Sequence, residues 1–291
     1  MLTLRNAHLH AQVLPAIGGA LARFDAIMDG ALHPVFRPLA LPDNSPPPTP
    51  SQLSCFPLVP WSNRIGGAGF DFDGRRIALS PNRAGEPCPI HGEGWQQSWE
   101  VRQHAEDSVL LTLDRQGGDP FSYLAQLAYT LHQTSLEVVL AVRNCGTGAM
   151  PFGLGLHPWF ERTDGVTLHA PADTVWQRGD DGLPTARMVI PEAWNFSRAR
   201  TLPDDAIDNV FEAWDGKAEI HWPETGIGLT VEANARYYIV YTRPGADFFC
   251  FEPVDHAINA HNLPGGAVHN GLTVLAPNQE LTRRFVFTVS T

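Results

Sequence analysis

The sequence predicts an all-β protein, a large antiparallel β-sandwich with few short helices. Three observations carry that prediction. Apolar residues recur at every second position along much of the chain, the spacing that turns one face of a strand towards a core. Helical periodicity is nearly absent. The apolar runs are punctuated by 26 glycines and 25 prolines, as the many short connections of a sandwich require.

The elements follow in order. Phe70 and Phe72 alternate with acids up to Asp73-Gly74, and Ile77 and Leu79 resume the pattern. An Asp-Gly pair between two such runs predicts a hairpin, because both central residues of its turn need positive φ. Val109, Leu111 and Leu113 mark a further strand, less cleanly, since Leu110 interrupts the polar face. Tyr123, Ala125, Leu127, Tyr129 and Leu131 make a long apolar face. After the polar break Gln133-Thr134-Ser135, Leu136, Val138, Leu140 and Val142 make the next. Tyr237 to Tyr241 is continuously apolar and predicts a central strand. Phe248 to Phe251 is a short bounded run, read as a strand buried on both faces that ends at Glu252, with Pro253 opening a turn. Phe285, Phe287 and Val289 predict the last strand. The best helical candidate is residues 203–214, with acids in a first turn. The proline-rich residues 38–52 read as a surface loop within a single domain, 1–291, since too few residues precede them to fold alone.

With 291 residues, 43% of them hydrophobic and 18% charged, the chain has the composition of a globular protein with a large core. A formal net charge of −11 argues against nucleic acid and an anionic membrane surface as partners. It says little about small ligands, because a pocket need not share the global sign. The start lacks a basic segment followed by an apolar one, and no apolar run reaches membrane-spanning length. A soluble cytoplasmic protein is expected. Cys55, Cys88, Cys145 and Cys250 are scattered without a C-x-x-C pair, so reduced thiols are expected rather than disulfides or a zinc knuckle. His256, His261 and His269 fit no metal-binding spacing. Neither G-x-S-x-G nor a Walker-type loop occurs. No metal and no cofactor are expected.

Several polar residues sit where chemistry is feasible. Glu252 follows four apolar residues and has two readings, a solvated strand-end acid or a base facing a pocket. If residues 151–160 form a strand, Gly153, Gly155 and His157 share a face. The glycines clear that face for a ligand or another backbone, and His157 is then either a core histidine or a working one. Arg64, beside Asn63 and before Gly66-Gly67, is a surface charge or a planar fork for two ligand oxygens. Asn63 would fix the turn. His91, followed by Gly92, Gly94 and Trp95, lies in a tight loop whose indole suits an apolar sugar face. Asp208 falls in the helical candidate, as a cap or a solvated acid.

Taken in order, Asn63-Arg64-Ile65, Ile90-His91-Gly92, Gly155-Leu156-His157-Pro158, Asp208-Asn209-Val210-Phe211 and Phe251-Glu252-Pro253 resemble the aldose 1-epimerase, or galactose mutarotase-like, family. The resemblance spans most of the chain. It implies a β-supersandwich with a sugar pocket on its concave face, and a monomer or homodimer acting on a free aldose, a hexose first of all. It also implies roles: Glu252 as base, His157 as acid, His91 supporting the transient charge, Arg64 and Asp208 holding ring hydroxyls, with Asn63 and Trp95 beside them. The chemistry agrees with those roles. A base takes the proton of the anomeric hydroxyl while an acid protonates the ring oxygen, the C1–O5 bond opens, rotation exposes the other carbonyl face, and the ring recloses. A carboxylate near His157 is expected to lift the histidine above its ordinary value of about 6.5. The segment at Asp208 continues with Asn209 where some relatives carry histidine, which bears on hydroxyl selectivity. The alternatives are a non-catalytic sugar-binding sandwich, a glycoside hydrolase using two carboxylates, and an epimerase of a phosphorylated sugar.

Overall fold

The computed structural model describes residues 1–41 and 45–291. The part of the proline-rich segment at 42–44 lies outside the described residues. Among the described residues, two large antiparallel sheets of 11 and 9 strands make the body of the molecule. The first runs in the order Leu2–Arg5, Leu9–Leu14, Ala20–Met28, Cys55–Leu58, Gly155–Glu161, Phe248–Val254, Tyr237–Thr242, Ile207–Glu212, Thr174–Arg178 and Pro184–Met188, with Ala31–Phe36 paired beside Ala20–Met28. The second is centred on Glu280–Ser290, Ser135–Asn144 and Tyr123–His132. Among the described residues, helix is confined to single turns and the short Gly266–His269.

Alternation decides which side chains meet between the sheets. From the first sheet Leu156, Phe160, Phe249, Phe251, Tyr238 and Val240 point inward, and from the second Tyr123, Leu127, Val138, Leu140 and Phe287 join them in one apolar cluster. Phe160 stacks on Phe249 at 5.3 Å, and Phe36 meets both Phe160 and Phe287 edge-on at 5.3 and 5.0 Å. Such aromatic contacts add to the burial term that dominates folding. The opposite face of the first sheet is what remains free to carry a site.

The hairpin at Asp73-Gly74 forms as Gly69–Phe72 and Arg75–Ala78, with φ of 50° and 69° at its two central residues. Two other expectations are corrected. Residues 203–214 are not helical: Ile207–Glu212 is a strand, antiparallel to Tyr237–Thr242. Ile207 and Phe211 face the core while Asp208 and Val210 face the other way, and this period-two burial outweighed the acids that suggested a first turn. Nor does the strand of Phe248 stop at Glu252. It runs through Pro253 to Val254, so Glu252 is a mid-strand residue and not a turn acid.

Candidate active site

Strand register assembles the polar residues. Gly155 pairs with Val254 and Trp159 with Cys250, which sets His157 opposite Glu252 on the neighbouring strand. On the far sides, His157 pairs with Phe56, Glu252 with Ile239, Cys250 with Tyr241, and Tyr241 with Asp208. One face of the sheet therefore carries two adjacent rows: Phe56, His157, Glu252 and Ile239, then Trp159, Cys250, Tyr241 and Asp208. Directly opposed side chains of antiparallel strands are near neighbours, and His157 Nε2 lies 3.3 Å from Glu252 Oε1. The His157 ring is held between Phe56 and Trp159, stacked at 4.4 and 5.2 Å.

Two loops close over this face. Asn63 and His91 meet there, both with positive φ, 53° and 61°. The His91 backbone N–H donates to Asn63 O at 2.9 Å, and the Asn63 N–H donates to His91 Nδ1 at 3.1 Å. That second bond makes Nδ1 the acceptor and leaves the proton on Nε2. Gly92 follows with φ 65°, and a Cβ there would stand 2.3 Å from Val59 O, so no other residue fits. Asn82 clamps the same loop, exchanging hydrogen bonds with the Ile90 backbone and donating to Gly92 O. His91 lies edge-on to His157 at 5.2 Å.

Arg64 is held more tightly than the sequence suggests. Its Nε and Nη2 donate to the two Glu86 oxygens, each at 3.1 Å, while Nη1 donates to Asp208 Oδ2 at 3.2 Å. Asp208 also faces Arg178 Nη2 at 3.4 Å. Asn63 Oδ1 accepts from the Arg64 backbone N–H, fixing the turn as expected. Asn259, itself at φ 57°, binds Arg64 O and the Gly66 N–H from behind.

The result is a cavity of about 130 Å³ lined by Asn63, Arg64, His91, His157, Asp208 and Glu252 of the predicted set. Trp95 is the exception. It is 3% exposed, packs on Phe56, and donates its indole N–H to Gly92 O. It supports the floor and does not line the cavity, because loop residues 92–95 turn inward. The indole in the wall is Trp159, with Tyr241 and Glu86 beside it. Sequence reasoning missed these three. Trp159 had a signal, two residues past His157 and so on the same face; Glu86 sits on a loop and had none. The space beside Gly153 and Gly155 is also reassigned. It is taken by the His256 ring and by Val254 and Pro253, so the glycines admit protein neighbours and not a ligand.

Burial sets the electrostatics. Glu252 is 2% exposed and its carboxyl is pushed well above the ordinary range, first by desolvation and then by the charge of Asp208. His157 moves opposite to expectation, down to about 3, because burial removes the water that would solvate a cation, and Arg83 and Arg37 add to this. His91 is lowered by burial too. Glu252 Oε2 and His157 Nδ1 are buried without a hydrogen-bond partner, an exception to the rule that interior polar atoms are paired.

This pattern has a consequence for stability. His91, His157, His256 and His261 all have lowered folded values, so each contributes stability that is lost as pH falls below the unfolded value of about 6.5, by roughly 1.4 kcal/mol per pH unit. Glu161, Glu252 and Asp255 are raised and oppose this, but Asp255 only to about 6, and Glu161 is exposed at the end of its strand. The thermal midpoint is expected to drop between pH 7 and pH 5. A midpoint that holds or rises in calorimetry contradicts neutral burial of the histidines.

The family model described as aldose 1-epimerase matches residues 1–288. The chain belongs to the aldose 1-epimerase family. The uncharacterized protein YphB of Escherichia coli is 33% identical over 242 residues, 80% of this chain and 82% of that protein. An E. coli crystal structure described as a candidate aldose 1-epimerase superposes with a TM-score of 0.89 at 29% identity, covering 99% of this chain and 98% of the other. The homologue of GalM and aldose epimerase from C. elegans has a TM-score of 0.84 at 18% identity, over 99% and 98% of the two chains, a likeness of fold. This aldose 1-epimerase family member thus has the sandwich of its relatives, and no helix among its described residues is long and apolar enough to cross a membrane.

Proposed function

We propose that this protein is a mutarotase: it interconverts the α and β anomers of a free aldose, with Glu252 and His157 as base and acid. The observation that carries the proposal is the cross-strand pair, 3.3 Å apart, forming part of the wall of a cavity the size of one sugar ring. The exocyclic and ring oxygens of an anomeric centre share one carbon, so two adjacent proton-transfer groups can serve both. Ring opening moves one proton off O1 and one onto O5, a net exchange of none. With Glu252 raised and His157 lowered, the pair holds one proton that rests on Glu252. Its transfer across to His157 gives a carboxylate base beside an imidazolium acid, at unchanged total charge. The open-chain form is then closed by the same groups in reversed roles. Each transfer is worth about 10²–10⁴-fold.

The remaining side chains orient the ring. Arg64, braced by Glu86, and Asp208, braced by Arg64 and Arg178, present a donor and an acceptor to adjacent hydroxyls. His91 offers Nε2–H towards the reacting oxygens. The hydrolase alternative is weaker, because its second carboxylate would be Asp208, which two arginines hold. A phosphorylated or acidic sugar has one observation in its favour. Arg37, Arg83 and Arg243 line the adjoining groove of about 730 Å³ and have no carboxylate within ion-pair distance among the described residues. Polarimetry on freshly dissolved α-anomers of free and phosphorylated aldoses tests all of these. Faster approach to the anomeric equilibrium is expected; saturable sugar binding with no change in that rate defeats the proposal in favour of a binding module.

A further inference from the structure

Cys250 takes no part in the acid–base chemistry, yet it is fully buried beside it. It lies two residues before Glu252 on one strand, hence on the same face, and diagonal to His157 on the next. A His157 ring nitrogen, Cys250 Sγ and a Glu252 oxygen all fall within 4.8 Å of one another. We propose that His157, Cys250 and Glu252 form a binding site for a soft divalent cation, Zn²⁺ or Cd²⁺, whose occupation excludes proton transfer by the pair.

Geometry, charge and donor type agree. Tetrahedral zinc with bonds of about 2.0–2.2 Å to nitrogen and oxygen sets those two atoms roughly 3.3 Å apart, and His157 Nε2 and Glu252 Oε1 are 3.3 Å apart before any ion arrives. Rotation of the Cys250 side chain supplies the longer bond to sulfur, about 2.3 Å. Burial makes a lone thiolate or carboxylate costly here, and both groups are held towards their protonated forms. A dication with one thiolate and one carboxylate has no net charge, which removes that cost. On coordination, metal–sulfur, metal–nitrogen and metal–oxygen bonds form while the thiol and carboxyl protons leave to solvent. Three protein ligands leave a fourth position for water or a sugar hydroxyl from the cavity. Thiolate and imidazole select zinc-like ions over Mg²⁺ and Ca²⁺, which prefer all-oxygen sites. The three ligands sit on paired strands and not on loops, so little chain must be ordered to bind.

That an occupied site blocks catalysis rests on the mutarotase reading; the binding itself does not. The probe is Cd²⁺ alone, titrated into a Cys88→Ser/Cys145→Ser parent in a thiol-free reductant and read by the ultraviolet charge-transfer band of cadmium thiolate. One equivalent is expected to produce the band. Cys250→Ser in that parent is expected to abolish it while leaving the fold and mutarotation intact, and His157→Asn to weaken Cd²⁺ binding by about 10–100-fold or more. Zn²⁺ is expected to inhibit mutarotation reversibly, with chelator restoring the rate, and Cys250→Ser to be at least about tenfold less sensitive. No band in the parent, or an undiminished band in Cys250→Ser, overturns the site. A Cd²⁺ band in a protein that mutarotates no sugar keeps the site and sinks the enzymatic reading, so the two fail separately.

Discussion

Glu252→Gln is expected to lower kcat for mutarotation by roughly 10²–10⁴-fold, about 3–5 kcal/mol of transition-state stabilisation, while the protein remains folded. Glutamine keeps the shape of the side chain and fills the same space between His157 and Ile239. It cannot accept the O1 proton. Since Glu252 is buried and its Oε2 has no hydrogen-bond partner, replacing the carboxyl with an amide removes no existing bond at that atom. The thermal midpoint should therefore hold or rise slightly. Polarimetry with a calorimetric scan of the same sample checks both halves. A variant that retains more than about a tenth of the wild-type rate takes Glu252 out of the reaction.

His157→Asn is expected to cost a similar factor, and the double variant with Glu252→Gln little more than either alone, because groups that pass one proton act as a unit. Additive losses would show that the two act separately. The wild-type pH profile gives an independent readout. The one-proton state of the pair is the active one, so activity falls on the acid side when His157 takes a second proton, and on the alkaline side when Glu252 loses the first. His157 is pushed down to about 3, which places the acid limb far below an ordinary histidine. Glu252 is pushed up, which places the alkaline limb above the ordinary carboxylate range. An inflection of kcat near the unperturbed histidine value of about 6.5 would mean that His157 titrates in water and that this proton account is wrong.

Much of the site was legible from short patterns. The face shared by Gly155, His157 and Trp159, and that shared by Cys250 and Glu252, follow from strand periodicity alone. The hairpin at Asp73-Gly74 follows from the positive φ its turn demands. What misled was local evidence with no tertiary neighbour to weigh it. Acids at 204–208 look like a helical first turn, but hydrogen bonds to Tyr237–Thr242 make the segment a strand. Trp95 looks like a sugar platform, but Phe56 and Gly92 draw it beneath the loop. His157 beside a carboxylate looks like a raised imidazolium, but full burial works the other way on both groups and dominates.

The order of residues determined by itself that this chain is built of strands, which side chains leave the core in the strands with clear alternation, and that one acid and several histidines interrupt apolar runs where desolvation is expensive. Those are statements about period and composition, and they need no partner. Register is different. That His157 stands opposite Glu252 and not one residue aside, and that Cys250 completes a third corner, depend on how strands distant in the chain slide against each other. A slip of one residue would send every one of these side chains to the opposite face, and only packing between the two sheets forbids it.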